Sequence, residues 1–166
     1  MAGIDDTLQE AEMLLASGET KKAMSAYEKV IKAAPGDPRG YFGKAESSLG
    51  EPKVSIEHIL EWYKKAIELD PKNVFYLTSY GNFCLDVGKF VDAEAAYNKA
   101  TELDEENAPL YFSEFAIGYY MKAPIVYEKF LDDKTMAMIH KKSIEYVLKA
   151  INLTPEKAKA LMADMK

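Results

Sequence analysis

The chain has 166 residues, of which 48% are apolar and 29% charged, a composition that suits one soluble domain. Its 27 acidic and 21 basic residues leave a formal charge of −6, with no block of clustered cations to neutralise phosphates, which argues against nucleic acid as the main ligand. A single cysteine, Cys84, excludes an intramolecular disulfide and any cysteine-built zinc site, and no stretch approaches the ~20 apolar residues that span a bilayer. The opening Met1-Ala2-Gly3-Ile4-Asp5-Asp6 is acidic where a secretory signal is basic and then apolar, so the expectation is a cytoplasmic protein.

Four near-copies of one segment organise the chain. The first is Tyr27-Glu28-Lys29-Val30-Ile31-Lys32-Ala33-Ala34-Pro35; the second is Tyr63-Lys64-Lys65-Ala66-Ile67-Glu68-Leu69-Asp70-Pro71. Tyr97-Asn98-Lys99-Ala100-Thr101-Glu102-Leu103-Asp104-Glu105 follows, and Val147-Leu148-Lys149-Ala150-Ile151-Asn152-Leu153-Thr154-Pro155 closes the series. A period of about 34 residues built on helical segments marks a stacked array of helix hairpins. Pro71 supplies no N–H and pushes Asp70 out of the helical region, so the helix must stop near Leu69 or Asp70, and Asn73 can cap the next one.

In chain order, Leu8, Ala11, Leu14 and Leu15 make the apolar stripe of the first helix, and Ala23, Tyr27, Val30 and Ile31 that of the second. Gly18, between them, suits a left-handed helix terminator. Asp37-Pro38 starts the next helix, with Asp37 as N-cap and Pro38 where a missing N–H costs nothing. Tyr41, Ala45 and Leu49 face Ile56, Ile59, Leu60, Tyr63, Ala66 and Ile67 in the second hairpin. The third, from Val74 to Leu103, sets Leu77, Tyr80, Gly81 and Cys84 against Ala93, Tyr97 and Ala100, with a turn at Gly88. Beyond Asn107 the pattern loosens. Phe115 stands where the other units are small, and about sixteen extra residues, near 119–134, precede the fourth copy. Pro124 is expected to break the helix there, and the apolar run from Ile125 to Leu131 cannot be an idle solvent loop; it either widens the core at the end of the array or folds toward its groove. Thr154 and Pro155 predict a final helix whose Ala158, Leu161, Met162 and Met165 would cover the open end.

The chain resembles the tetratricopeptide repeat. The third unit carries the family's pattern at Leu77, Tyr80, Gly81, Gly88, Phe90, Ala93, Tyr97 and Ala100, with Glu105 where proline is usual; the second matches at Tyr41, Ala45, Tyr63, Ala66 and Pro71, and the first at Ala11, Leu14, Gly18, Ala23, Tyr27 and Pro35. The resemblance implies an all-α fold, an α-solenoid of stacked antiparallel helix hairpins with a C-terminal capping helix. It would form one domain of units 4–37, 38–73, 74–107 and 108–155 and a cap at 155–166.

The same resemblance implies a concave groove lined by the first helix of each unit. Carried over position by position, the partner-binding residues are Leu8 and Glu12 in the first unit and Arg39, Phe42 and Glu46 in the second. The third gives Phe75, Thr78 and Asn82, and the fourth Phe112 and Tyr119. Phe42, Phe75 and Phe112 lie off the main packing stripe and are candidate anchors, with packing between first helices as the alternative. Co-chaperone members hold acidic tails with asparagine and cations; Asn82 fits that set, but Glu12 and Glu46 have the opposite sign. A neutral-to-basic or apolar protein segment suits the groove better.

Chemistry has little support. His58 and His140 fall on second helices of different units, Cys84 lies on a packed stripe, and no glycine-rich phosphate loop, GxSxG or HExxH is present. The expected protein is a non-enzymatic adapter without metal or cofactor, a monomer or homodimer, with no nucleic acid or membrane among its partners. The alternative is an assembly factor that packs on another copy through the 119–131 insert or the last helix.

Overall fold

A computed structural model describes residues 3–164. Among these residues the chain is helical: α1 (Ile4–Ala16), α2 (Thr20–Ala33), α3 (Pro38–Ser47), α4 (Ile56–Leu69), α5 (Val74–Asp86), α6 (Phe90–Leu103), α7 (Ala108–Val126), α8 (Asp133–Ala150) and α9 (Pro155–Asp164), with a 3-10 turn at Glu128–Phe130. No strand occurs among the described residues. The fold is all-α and of the stacked-hairpin, α-solenoid type. Its contacts divide it into two compact units, Met1–Tyr76 and Leu77–Lys166.

Local chemistry sets most helix ends. Gly18 takes φ +79°, and the N–H groups of Gly18 and Glu19 donate to the carbonyls of Leu15 and Leu14 at 3.0 and 2.8 Å, the paired bonds of a Schellman ending. Lys89 donates to Cys84 (2.8 Å) behind Gly88, and Leu153 to Leu148 (2.8 Å) behind Asn152, whose φ is +52°. Asparagine serves there because its short polar side chain tolerates the left-handed region. The ends of α2, α4 and α6 share another backbone geometry, with φ/ψ of −140/77° at Ala34, −136/78° at Asp70 and −139/76° at Asp104. Proline follows the first two but Glu105 the third, so proline is not required for this ending. The Asp104 carboxylate instead accepts from Asn107 Nδ2 (2.9 Å) and Tyr111 Oη (2.6 Å). At the helix starts, Asp37 accepts from the Arg39 N–H (3.0 Å) ahead of Pro38, Asn73 from the Tyr76 N–H (3.2 Å), and Thr154 from the Lys157 N–H (3.2 Å).

In the first unit each helix from α1 to α4 packs on the next, and α1 also touches α3. Leu8, Ala11, Ala23, Ala26, Tyr27 and Val30 form a buried cluster that Leu14 and Leu15 flank. Ala45, Ile59, Tyr63 and Ala66 continue the buried set. Gly43 supplies the closest approach: a Cβ built there would lie 2.1 Å from the Tyr27 ring, so the ring occupies the space that any other residue would fill. Leu49, expected on the stripe of α3, lies beyond its end and is exposed, because the helix closes at Ser47 on two buried serines whose hydroxyls donate to the carbonyls of Gly43 and Lys44.

In the second unit, α6 packs on α7 and α7 on α8. Phe115 is fully buried rather than misplaced: it stacks on Tyr119 (5.7 Å, 11°) and lies 4.5 Å from the Tyr146 ring, so larger rings fill the space that small residues leave elsewhere. Pro124 does not break the helix. It occupies the last turn of α7, which runs to Val126, and the helix end is held by Val126 against Gly88 and by Tyr127 against Phe90 (5.6 Å). The insert is therefore part helix. Tyr119 and Ala123 are buried, whereas Ile125, Phe130 and Leu131 are exposed. The Ala158, Leu161 and Met162 side chains and Met165, expected to cover the open end, lie outside what the structure describes.

Candidate partner-binding surface

The first unit presents one face of α1, one face of α3 and the first turn of α5. Arg39, the chain's single arginine, is already engaged: its Nη2 lies 2.7 Å from Asp37 Oδ2 and 3.1 Å from Asp5 Oδ1. The guanidinium holds the Asp37 carboxyl below its usual range. One cation is thus spent within the surface.

Two acids remain. Glu12 is exposed on α1, and Glu46 is half-buried on α3, where Tyr63 Oη donates to its Oε1 at 2.6 Å. Both charges act on the Tyr27 phenol, which burial first and then Glu12 and Glu46 raise to about 12. Two carboxylates from separate helices therefore act on one buried ring.

The aromatic residues divide in role. Phe42 is half-buried, stacked on Tyr76 (4.5 Å, 23°) and set edge-on to Tyr63 (5.9 Å, 67°), so it takes the packing role between first helices that the sequence offered as the alternative to an anchor. Phe75 tilts against Phe42 at 5.3 Å and is 64% exposed. Leu8, expected to face a partner, is 3% exposed and belongs to the core between α1 and α2.

In the second unit, Thr78 and Asn82 line a cleft of about 540 Å³ between α5 and α7, together with Glu114, Ile117 and Met121. Phe112 does not join that cleft. Its ring turns to α8, edge-on to Tyr146 at 5.9 Å, and lines a different groove of about 800 Å³ with Ile144, Leu148 and Leu153. Tyr119, also expected to face a partner, is 3% exposed, packed on Phe115 and Phe90. Glu114, exposed on the same lining, was not among the positions expected on α7, which fell on Phe112 and Tyr119.

The remaining candidates for chemistry are held by packing. His58 Nδ1 lies 3.1 Å from Ser55 Oγ, and its ring stacks over Trp62; His140 stacks on Tyr120 at 5.7 Å. Cys84 is buried. Among the described residues no group of three or more histidine, cysteine or acidic side chains could hold a metal ion, and no helix is long and apolar enough to cross a membrane.

Helix hairpins stacked in sequence, with small residues facing tyrosines and first helix meeting first helix, define the class of helical-repeat scaffolds. Two family models, each described as tetratricopeptide repeat, match residues 62–95 and 8–37, so the chain carries tetratricopeptide repeats there. A TPR repeat-containing protein of Methanocaldococcus jannaschii is 28% identical over 137 residues, covering 79% of this chain and 22% of that protein. The probable UDP-N-acetylglucosamine–peptide N-acetylglucosaminyltransferase SPINDLY of Arabidopsis thaliana is 28% identical over 105 residues, covering 63% of this chain and 11% of that protein. The chain thus spans 22% and 11% of the lengths of these two curated relatives. Among solved structures, MamA superposes with a TM-score of 0.69 at 14% identity over 95% of this chain and 81% of its own. The MamA RS-1 ArsTM double mutant does so with 0.61 at 19%, over 86% and 74%. These likenesses carry the fold alone; the repeat matches are what support a protein-interaction scaffold in general terms.

Proposed function

We propose that the first unit binds a neutral-to-basic segment of a partner protein on the face formed by α1, α3 and the start of α5. The carrying observation is that Glu12, exposed on α1, and Glu46, half-buried on α3, keep their charges on this face while its arginine is paired with Asp37 and Asp5. An acidic segment would meet two like charges, a penalty that screening reduces without changing its sign. A basic segment gains the opposite. Phe75 is the anchor, since its ring is largely in solvent while Phe42 supports it from below. Glu46, held by Tyr63, offers a fixed carboxylate and so loses little freedom on binding. No covalent chemistry is required of the chain.

Fluorescence anisotropy with labelled lysine-rich and glutamate-rich peptides tests this reading. Preference for the lysine-rich peptide supports it; preference for the glutamate-rich one removes it.

A second reading has an observation of its own. Ile125, Phe130 and Leu131 are 70%, 75% and 41% exposed within seven positions, an apolar patch that would suit packing on another copy of the chain. A molar mass by light scattering that stays monomeric at every concentration would exclude it.

A further inference from the structure

The groove that Phe112 lines with α8 is apolar along its length and positive at one end. Its volume, about 800 Å³, is that of a small-molecule site, and it follows one face of α8, where Lys141, Ile144 and Leu148 stand at helical spacing. Leu153 closes the far end, because the turn at Asn152, with φ +52°, brings its N–H back to the Leu148 carbonyl at 2.8 Å. Charge is distributed unevenly along the lining. Lys149 Nζ lies 3.2 Å from Glu145 Oε1 and 4.1 Å from the centre of the Tyr146 ring, so the lysine and the glutamate cancel. Lys141 is exposed, and its ammonium makes no ion pair or hydrogen bond among the described residues. The groove therefore carries a net positive charge on a chain whose formal charge is −6.

We infer that this groove binds a free single-chain amphiphile with an anionic head, a long-chain carboxylate, whose head meets Lys141 and whose hydrocarbon tail runs along Ile144 and Leu148 toward Leu153. From Lys141 to Lys149 the helix advances about 12 Å, which gives the tail a continuous apolar track. A peptide fits the same lining poorly. Its backbone N–H and C=O groups need partners, and among the polar side chains of the lining only Lys141 and Asn152, at the two ends, are unengaged: Lys149 is held by Glu145, and Thr154 Oγ1 accepts from the Lys157 N–H at 3.2 Å. A hydrocarbon tail has no such groups to satisfy. A cationic amphiphile would meet a like charge at Lys141, and an uncharged one would gain nothing from it. The groove shares no residue with the face proposed on the first unit, so each stands or falls separately.

The test is an NMR titration of the whole, isotope-labelled chain with dodecanoate, dodecanol and dodecylammonium, each below its micelle-forming concentration. Dodecanoate is expected to shift the backbone amides of Ile144, Leu148 and Leu153 saturably, and to bind roughly three- to tenfold more tightly than dodecanol. Lys141→Gln should remove that difference, and Lys141→Glu should transfer the preference to dodecylammonium. Since the Lys141 ammonium makes no bond in the fold, both variants should keep the helical circular dichroism of the parent. Ile144→Ser, a change at a side chain that is 57% exposed, should weaken all three amphiphiles together. Phosphatidylserine vesicles should not carry the chain down on sedimentation, because the ligand is a free amphiphile and not a membrane surface. Equal affinity for dodecanoate and dodecanol, shifts confined to residues outside the groove, an unchanged preference in Lys141→Glu, or co-sedimentation with the vesicles would each overturn the proposal.

Discussion

Tyr63 and Glu46 share a 2.6 Å hydrogen bond that joins the core of the second hairpin to its candidate binding face. The tyrosine is 1% exposed, and it belongs to the repeated segment that packs α4; the glutamate belongs to the face a partner would meet. One bond therefore serves both the fold and the surface. Tyr63→Phe should lower stability by about 1 kcal/mol, the worth of a typical net hydrogen bond, because water can reach the half-buried Glu46 and replace the hydroxyl. Urea denaturation would measure it, with the helical signal before the transition unchanged.

Gly43 predicts a larger effect with the opposite intuition. Alanine improves helix propensity by about 1 kcal/mol over glycine, yet its Cβ would fall on the Tyr27 ring, and overpacking costs about 1–3 kcal/mol. The clash is with the body of a buried ring, so it wins. Gly43→Ala is expected to lower the thermal midpoint, whereas Gly43→Ala combined with Tyr27→Leu should recover part of the loss.

The second unit has an acid-sensitive clasp. Glu94 on α6 accepts from Lys142 and from Tyr146 Oη (both on α8), the latter at 2.7 Å. Burial alone would raise its carboxyl, but the bonds from Lys142 and Tyr146 together outweigh burial and hold it below its ordinary value. A depressed carboxyl contributes stability that is complete above the unfolded-state value and is lost as pH falls through the folded one. Stability should thus decline on acidification below the ordinary glutamate range. Glu94→Gln should flatten that decline and cost about 2 kcal/mol at neutral pH by weakening both bonds. Thermal melts of the two proteins across the acid range would check both statements.

Phe75 should separate binding from folding. With 64% of its surface exposed, Phe75→Ala removes little buried area, so the melting temperature should move only slightly. Peptide affinity on the first-unit face should drop by roughly tenfold, as for an anchoring ring. Phe42→Ala should instead lose stability, because its ring stacks on Tyr76 and meets Tyr63.

Features that depend on a few neighbouring residues were legible in the sequence. Gly18 as a left-handed terminator, Asp37 before Pro38 and Asn73 as a cap each follow from one side chain acting on nearby backbone. The repeat spacing disclosed the hairpins for a similar reason, since small and aromatic residues recur in step. Features set by packing across helices were not legible. Pro124 fits inside α7 because it sits in the last turn and tertiary contacts at Val126 and Tyr127 hold the helix end. Leu8 and Tyr119 were assigned to the surface from family positions, but the bulk beside them decides burial, and both are sealed in cores.

The most direct measurement is the affinity of a lysine-rich peptide for the parent chain and for Glu12→Gln/Glu46→Gln, at low and at physiological salt. The double substitution is predicted to weaken binding by roughly tenfold at low salt and to flatten the salt dependence, because it removes the two charges that attract the peptide. Equal affinity and an equal salt slope in the two proteins would contradict the binding face assigned to the first unit.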